Sequence, residues 1–390
     1  MLLFGPIGSG KSTELLRFND LLEKGKVIFP LLLNVRGEID INNLQYTDIL
    51  LALAKVLVRT LEEKQINLSG AALEPLQKWF VEEVYTDDST REISGEITTE
   101  GMMKGGIPLL VQLLGRVTAT MKGTSENKTS MREVVKKTFT QFSDAFNQLT
   151  QEAEKKIKAR NLGQRILFIV DGTDKIPLQD AKSLFVYDTE QLLAIKAYVV
   201  YTAPIALKYR GAGPSRLDAE EVLPIVKLYE RSGGKHEAGW SALRELLSRR
   251  IDPASFQDAA ATPDELMDLL IDASGGHPRE LLRLLRLSCE LAVISGTDTI
   301  NTDVIDQAIE KLTGDFRYWL SKEDYSCLAE IDASGGVANG NNEQISNLMY
   351  RLALLQYNNG SWRQSNPVIR RLAGYQSATA QLDNPHPPCS

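Results

Sequence analysis

The chain has 390 residues, 43% of them apolar and 24% charged, with a net charge of −7. These are the proportions of an ordinary globular protein, and the net charge excludes a global basic field of the kind that coats nucleic acid. Three cysteines (Cys289, Cys327, Cys389) and three histidines (His236, His277, His386) are scattered without a C-x-x-C pair. That pattern excludes a disulfide framework or transition-metal site and implies reduced thiols in the cytoplasm.

Length alone allows two or three domains at about 150 residues each. No stretch reaches the roughly 18 consecutive apolar residues of a membrane span. The longest, residues 107–121, is interrupted by Gln112 and Arg116. Nothing at the start reads as a signal peptide, because the apolar residues run straight into a glycine-rich motif. That abrupt start implies either residues upstream of it or an unusual hold on the base.

In chain order, Met1-Leu2-Leu3-Phe4 is an apolar strand. It leads into Gly5-Pro6-Ile7-Gly8-Ser9-Gly10-Lys11-Ser12, a complete G-x-x-x-x-G-K-S phosphate loop, with Thr13 opening the next helix. The glycines let backbone N–H groups turn toward phosphates, Lys11 reaches the β- and γ-phosphates, and the Ser12 hydroxyl ligates Mg²⁺. The helix after it adds its N-terminal dipole. Residues 27–35 read as a strand, with Pro30 arguing for an edge or a bulge. Residues 46–63 and 71–85 read as helices, 87–106 as a polar loop, 107–121 as a helix or hairpin, and 123–129 as a polar turn. Residues 130–160 read as one long amphipathic helix, with Phe139, Phe142, Phe146 and Leu149 on its apolar stripe.

Strands follow at 166–170, 197–202 and 222–228. Alternation of strands and helices argues for a parallel sheet with its ligand at the carboxyl ends of the strands. Helices are expected at 240–250, 263–273, 279–295 and 302–312, then helices at 324–331 and 344–351 and a hairpin of 354–357 with 362–364 around Asn358-Asn359-Gly360. Helix–helix–hairpin is the winged-helix outline. Residues 376–390 read as disordered.

The second nucleotide motif is the apolar strand 166–170 ending in Asp171. A carboxylate there can hold Mg²⁺, and Asp174, three residues on, is placed to polarise an attacking water unless it caps a helix. Thr202 ends the next strand, where a hydroxyl either senses the γ-phosphate or bonds to backbone. Gly275-Gly276-His277-Pro278-Arg279 opens a helix. An arginine in a first helical turn opposes the helix dipole, which is explained if Arg279 faces phosphate. Arg210, Arg216 and Arg231 are candidates for a hydrolysis-promoting arginine.

Taken in this order, the phosphate loop followed by STELLRF, the D-G-x-D-K strand end, the G-G-H-P-R helix start and the winged-helix outline resemble a bacterial STAND-type or origin-recognition-like AAA+ ATPase over roughly residues 1–375. The resemblance implies an α/β P-loop NTPase fold, AAA+-like, with a parallel sheet, a helical insertion, a helical lid and a C-terminal winged helix. It implies an NTPase domain over 1–228 with the insertion at about 60–160, a lid over 229–315, a winged helix over 316–375 and a tail over 376–390. It implies ATP and Mg²⁺ as cofactors, Pro278 near adenine and Arg279 as second sensor. The usual sensor arginine after the fourth strand is replaced by Thr202-Ala203-Pro204, which implies slow or partner-dependent hydrolysis. The absence of an N-K-x-D signature favours ATP over GTP.

Two functions fit. One is a nucleotide-driven switch, a homo-oligomer in bacterial signalling or phage defence whose insertion docks a protein effector. The other is a DNA-binding AAA+ ATPase of the replication or transposition type. Arg351, Arg363, Arg370 and Arg371 set against Glu323, Asp324, Glu330, Asp332 and Glu343 are a poor balance for phosphate contacts. That balance favours the switch. A small-molecule kinase is disfavoured by the lid and the winged helix.

Overall fold

A computed structural model describes residues 1–85, 106–122, 126–209, 217, 219–336, 342–358 and 362–383. The expected loop at 87–105, residues 123–125 of the expected turn at 123–129, the hairpin tip at 359–360, Arg210 and Arg216 lie outside the described residues, and residues 126–129 of that turn are helical instead.

The chain divides into two compact units. The first comprises residues 1–3, 11–204 and 212–220; the second comprises 4–10, 205–211 and 221–390. Strand β1 (Leu2–Gly5) is therefore shared along its length. With β2 (Ile28–Asn34), β3 (Arg165–Asp171), β4 (Tyr198–Pro204) and β5 (Glu220–Val222) it forms one sheet of order β2-β3-β4-β1-β5. The β2–β3 and β3–β4 pairs are parallel. The order places β4 between the strand that feeds the phosphate loop and the strand that carries the acids. This is an α/β P-loop NTPase fold of AAA+-like arrangement.

Pro30 lies in β2, which is an edge strand, where a missing N–H costs no ladder bond on its open side. Strand β5 stops at Val222 and does not run on to residue 228 as the sequence suggests. Its pairing with β1 ends with Leu223 N–H donating to Phe4 O, and Pro224 cannot donate the next bond.

In the first unit, α1 (Lys11–Gly25) follows the loop, and a short helix α2 (Val35–Glu38) follows β2. Helix α3 (Tyr46–Glu63) buries thirteen of its eighteen residues and opens with Gln45 N–H donating to Asp48 Oδ2 at 3.1 Å. Helix α4 (Gly70–Trp79) widens into a π-type turn over Phe80–Tyr85, α5 spans Gly106–Lys122, and α6 spans Glu126–Lys137. The expected single helix over 130–160 is broken: α7 (Phe139–Ala159) starts anew after Thr138. The Thr138 hydroxyl donates back to Val134 O at 2.8 Å and accepts from Trp79 Nε1 at 2.9 Å, a side-chain bond that bends helices. Phe146 of α7 packs 6.0 Å from Phe168 of β3, so the apolar stripe is core. Two short helices unmarked in the sequence, α8 (Leu178–Lys182) and α9 (Thr189–Leu193), connect β3 to β4.

In the second unit, α10 (Ile205–Tyr209) begins at the residue after β4. Four helices follow: α11 (Glu237–Ser248), α12 (Pro263–Ser274), α13 (Pro278–Ile294) and α14 (Thr302–Arg317). Helix α12 carries a capping box of Thr262 and Glu265 and ends on Gly275 in the left-handed region, where glycine is unstrained. Helices α15 (Lys322–Ala333) and α16 (Asn342–Tyr350) then precede the antiparallel hairpin of β6 (Leu354–Tyr357) and β7 (Trp362–Ser365), which is the expected helix–helix–hairpin order. The disorder expected from residue 376 is corrected through 383. Helix α17 (Ala373–Asp383) buries Tyr375 and Ala378 and packs on α15, with Gly374 lying close against the Tyr325 ring. Residues 384–390 lie outside the described residues.

Candidate nucleotide site

The acid strand delivers its side chains through one turn. Gly172, at φ 101°, lets the chain leave β3 and enter a single 3₁₀ turn over Thr173–Lys175. Asp174 is 2% exposed there, and its Oδ2 lies 2.8 Å from the Lys11 ammonium, which is 4% exposed. The Asp174 side chain caps no helix. Burial pulls the Lys11 pKa below the ordinary lysine value, and the neighbouring carboxylate offsets this only in part.

Thr202, fully buried at the end of β4, secures that turn. Its Oγ1 accepts from Gly172 N–H at 3.0 Å and from Asp174 N–H at 3.3 Å, and its carbonyl accepts from Thr173 Oγ1. Of the two roles expected for Thr202, the bond to backbone is the one its hydroxyl fills; the geometry gives no separate support to a phosphate sensor. In the first unit, Asp171 Oδ1 and Asp174 Oδ1 are buried without a hydrogen-bond partner. Orphaned carboxylate oxygens beside an ammonium are the groups a cation or a water would satisfy. With the half-buried Ser12 hydroxyl at the start of α1, this donor set fits Mg²⁺, with Ser12 and Asp171 as ligands.

Residues 4–10 belong to the second unit, together with the G-G-H-P-R segment. Gly8 and Gly10 take φ 97° and 103°, and Ser9 N–H donates to Pro6 O at 3.2 Å, which curls the loop. A Cβ on Gly8 would stand 2.7 Å from His277 Cε1 and 2.8 Å from Arg279 Cβ, so glycine is required by close approach as well as by conformation. Gly276 is equally constrained: a Cβ there would meet Val226 O at 1.9 Å.

His277 is the residue that sequence reasoning missed. It is fully buried and is the N-cap of α13: its Nδ1 accepts from Glu280 N–H at 3.2 Å. An accepting Nδ1 leaves the proton on Nε2, which donates to Ile7 O at 3.1 Å. One imidazole thus joins the phosphate loop to the start of α13. The signal was available, because the residue before a proline at the first helical position is where a capping acceptor is expected. Pro278 occupies that first position half-buried, and exposed Arg279 lies over Gly8.

No family model and no curated protein matches the sequence. The chain is similar, over 98% of its length, to two solved structures: the Aeropyrum pernix ORC2 protein in ADPNP–ADP complexes (12% identity, 86% of that chain, TM-score 0.36) and Cdc6p from Pyrobaculum aerophilum (10% identity, 87% of that chain, TM-score 0.38). It is also similar to the Thermotoga maritima RuvB Holliday junction branch migration motor over 53% of its length and 68% of that chain (17% identity, TM-score 0.26). Likeness at these scores carries no argument; the fold class rests on the sheet order and on the loop and acid positions above. Among the described residues no helix is long and apolar enough to cross a membrane.

Proposed function

We propose that this chain is an ATP-binding and hydrolysing switch whose winged-helix-like module is used for docking within the chain, not for reading DNA. The observation that carries this is the burial of α16. In helix-turn-helix modules the recognition helix must be free to enter the major groove. Here α16, the helix before the hairpin, lies against α10: Ser346 is fully buried and its hydroxyl donates to Ala206 O at 2.8 Å, with Ile345, Leu348 and Met349 no more than 2% exposed. Three of the four arginines that could have contacted phosphates are engaged by the chain itself. Arg351 lies over Trp319, and Arg370 and Arg371 pair with Asp332 and Asp306. Helix α10 starts at the residue after β4, so the strand that holds the Asp174 turn runs directly into the docked element.

In this reading the loop amides and Lys11 bind the β- and γ-phosphates, and phosphate competes with Asp174 for the Lys11 ammonium. Asp174, released, accepts a hydrogen bond from the attacking water and takes its proton as the water oxygen bonds to the γ-phosphorus. The bond from that phosphorus to the bridging oxygen breaks and ADP leaves. Mg²⁺, held by Ser12 and Asp171, neutralises phosphate charge when bound. Thr202 is a positioning residue for the acid turn. Arg279 and His277 read loop occupancy, Pro278 lies toward the base, and the helices of residues 60–160 receive a protein partner as the chain assembles with copies of itself. Bacterial signalling or phage defence is the role that the STAND-type resemblance implies for such an assembly.

The test is turnover and molecular mass of the purified chain with ATP and with ADP, each with and without duplex DNA at moderate salt. Nucleotide-dependent mass indifferent to DNA is the expected result; DNA-stimulated turnover with ATP-dependent DNA binding overturns the docking assignment.

A further inference from the structure

The second unit contains a cleft that nucleotide binding at the loop leaves unexplained. One part, of about 210 Å³, lies between Tyr229, Asp272, Tyr357 and Trp362. A second part, of about 350 Å³, opens between Arg231, Gly335 and Arg363. Tyr229, Trp362, Gln364 and Arg370 line both, so the two parts are one cleft of the size that holds small molecules.

The chemistry of its wall is one-sided. Each carboxylate already has partners. Asp272 accepts from the Tyr229 hydroxyl at 2.6 Å. Asp332 accepts from Ser365 N–H at 2.9 Å and the Tyr375 hydroxyl at 2.6 Å, and faces Arg370 Nε at 3.4 Å. Glu230 is held by Lys227 at 3.0 Å and His236 at 2.9 Å.

The donors are left over. Trp362 is 6% exposed, and its indole Nε1 has no acceptor. The Nε of Arg363 is likewise buried without one, its guanidinium held 4.5 Å from the centre of the Tyr209 ring. The side chains of Arg231 and Gln364 have no hydrogen-bond or ion-pair partner among the described residues. A buried donor without an acceptor is costly in a folded chain and asks for an explanation. Here the Trp362 indole and the two arginines can only donate, the Gln364 amide can donate as well as accept, and all four share walls with aromatic rings. An acceptor-rich anion with a planar part is their complement.

We propose that this cleft binds a small phosphate-bearing molecule of nucleotide size, at a site distinct from the phosphate loop. Arg231 and Arg363 contact the phosphate, the Trp362 indole N–H and Gln364 donate to its oxygens, and Tyr229 borders the remainder of the ligand. A ligand here bridges the strand-like segment around Tyr229 and the hairpin β6–β7, both within the second unit.

The experiment is fluorine NMR of the full chain labelled with 5-fluorotryptophan. There are four tryptophans, and Trp362→Phe assigns the resonance of interest. Pyrophosphate and AMP are titrated as probes, with acetate as the carboxylate control. The expected result is a saturable shift of the Trp362 signal with both phosphate probes, weakened about tenfold or more by Arg231→Glu. Arg231 is exposed, so that variant keeps the fold. A Trp362 signal that does not move, that moves equally in Arg231→Glu, or that follows acetate as strongly as phosphate overturns the proposal.

Discussion

Two buried ion pairs in the first unit are built to opposite specifications. Arg132 and Asp48, on α6 and α3, leave nothing unsatisfied. Arg132 Nε donates to Asp48 Oδ1 at 2.9 Å, its Nη2 donates to Asp48 Oδ2 and to Asn43 O, and Gln45 N–H and Thr47 Oγ1 complete the carboxylate. Lys11 and Asp174 share one contact, and Asp174 Oδ1 is orphaned. Low dielectric rewards a complete network and penalises an incomplete one. The first pair is therefore a lock that fastens the insertion to α3. The second leaves Asp174 Oδ1 without a partner, the position that the proposed function gives to the attacking water.

The comparison can be broken in several places. Arg132→Ala leaves a buried carboxylate without its cation, and the expected loss is about 3–5 kcal/mol in urea denaturation; an unchanged midpoint would show that the network locks nothing. Asp174→Asn should leave nucleotide binding in place and slow turnover by about a hundredfold or more, measured as steady-state phosphate release. Unchanged turnover would reduce Asp174 to a structural partner of Lys11. Lys11→Ala should weaken ATP binding by about 10- to 100-fold in calorimetry, the worth of a charge-assisted contact to phosphate; retained affinity removes Lys11 from the site.

A pH titration sharpens the same contrast. The Lys11 pKa is lowered by burial, so the ammonium that attracts phosphate is present below that value and is lost as pH rises through it. Nucleotide affinity should accordingly begin to fall at a lower pH than the ordinary lysine value of 10.5 would allow. An affinity flat well into the alkaline range contradicts the burial argument. The smallest effect is expected of His277→Ala, about 1 kcal/mol of stability from the lost cap, with weaker coupling of loop occupancy to protease protection of α13. Equal protection with and without nucleotide in wild type would remove His277 from signal reading.

Much of the fold was legible because its elements carry local chemistry. The phosphate loop, the acid strand and Pro30 at an edge each follow from residue types within a few positions. Helix α3 was readable from periodicity over the same bounds, 46–63. The misreadings came from tertiary partners. Thr138 breaks a continuous amphipathic stripe because Trp79, far away in sequence, occupies its hydroxyl. Composition alone marks the tail as unstructured, but α17 is supported by α15. At the site, the identities of Lys11, Asp171 and Asp174 were legible, whereas the pairing of Lys11 with Asp174 and the two bonds of His277 depend on contacts that no local pattern encodes.

The reach of His277 has a consequence for how the protein is made. Its partner, Ile7, is 270 positions earlier in the chain. A ribosome adds about 5–20 residues per second, so the glycine loop exists for roughly 15–50 s before the imidazole that braces it has been synthesised. During that interval the emerging polypeptide carries the glycine loop without the imidazole that the proposed function makes its reporter. A message truncated before this histidine codon would yield the same mute product permanently.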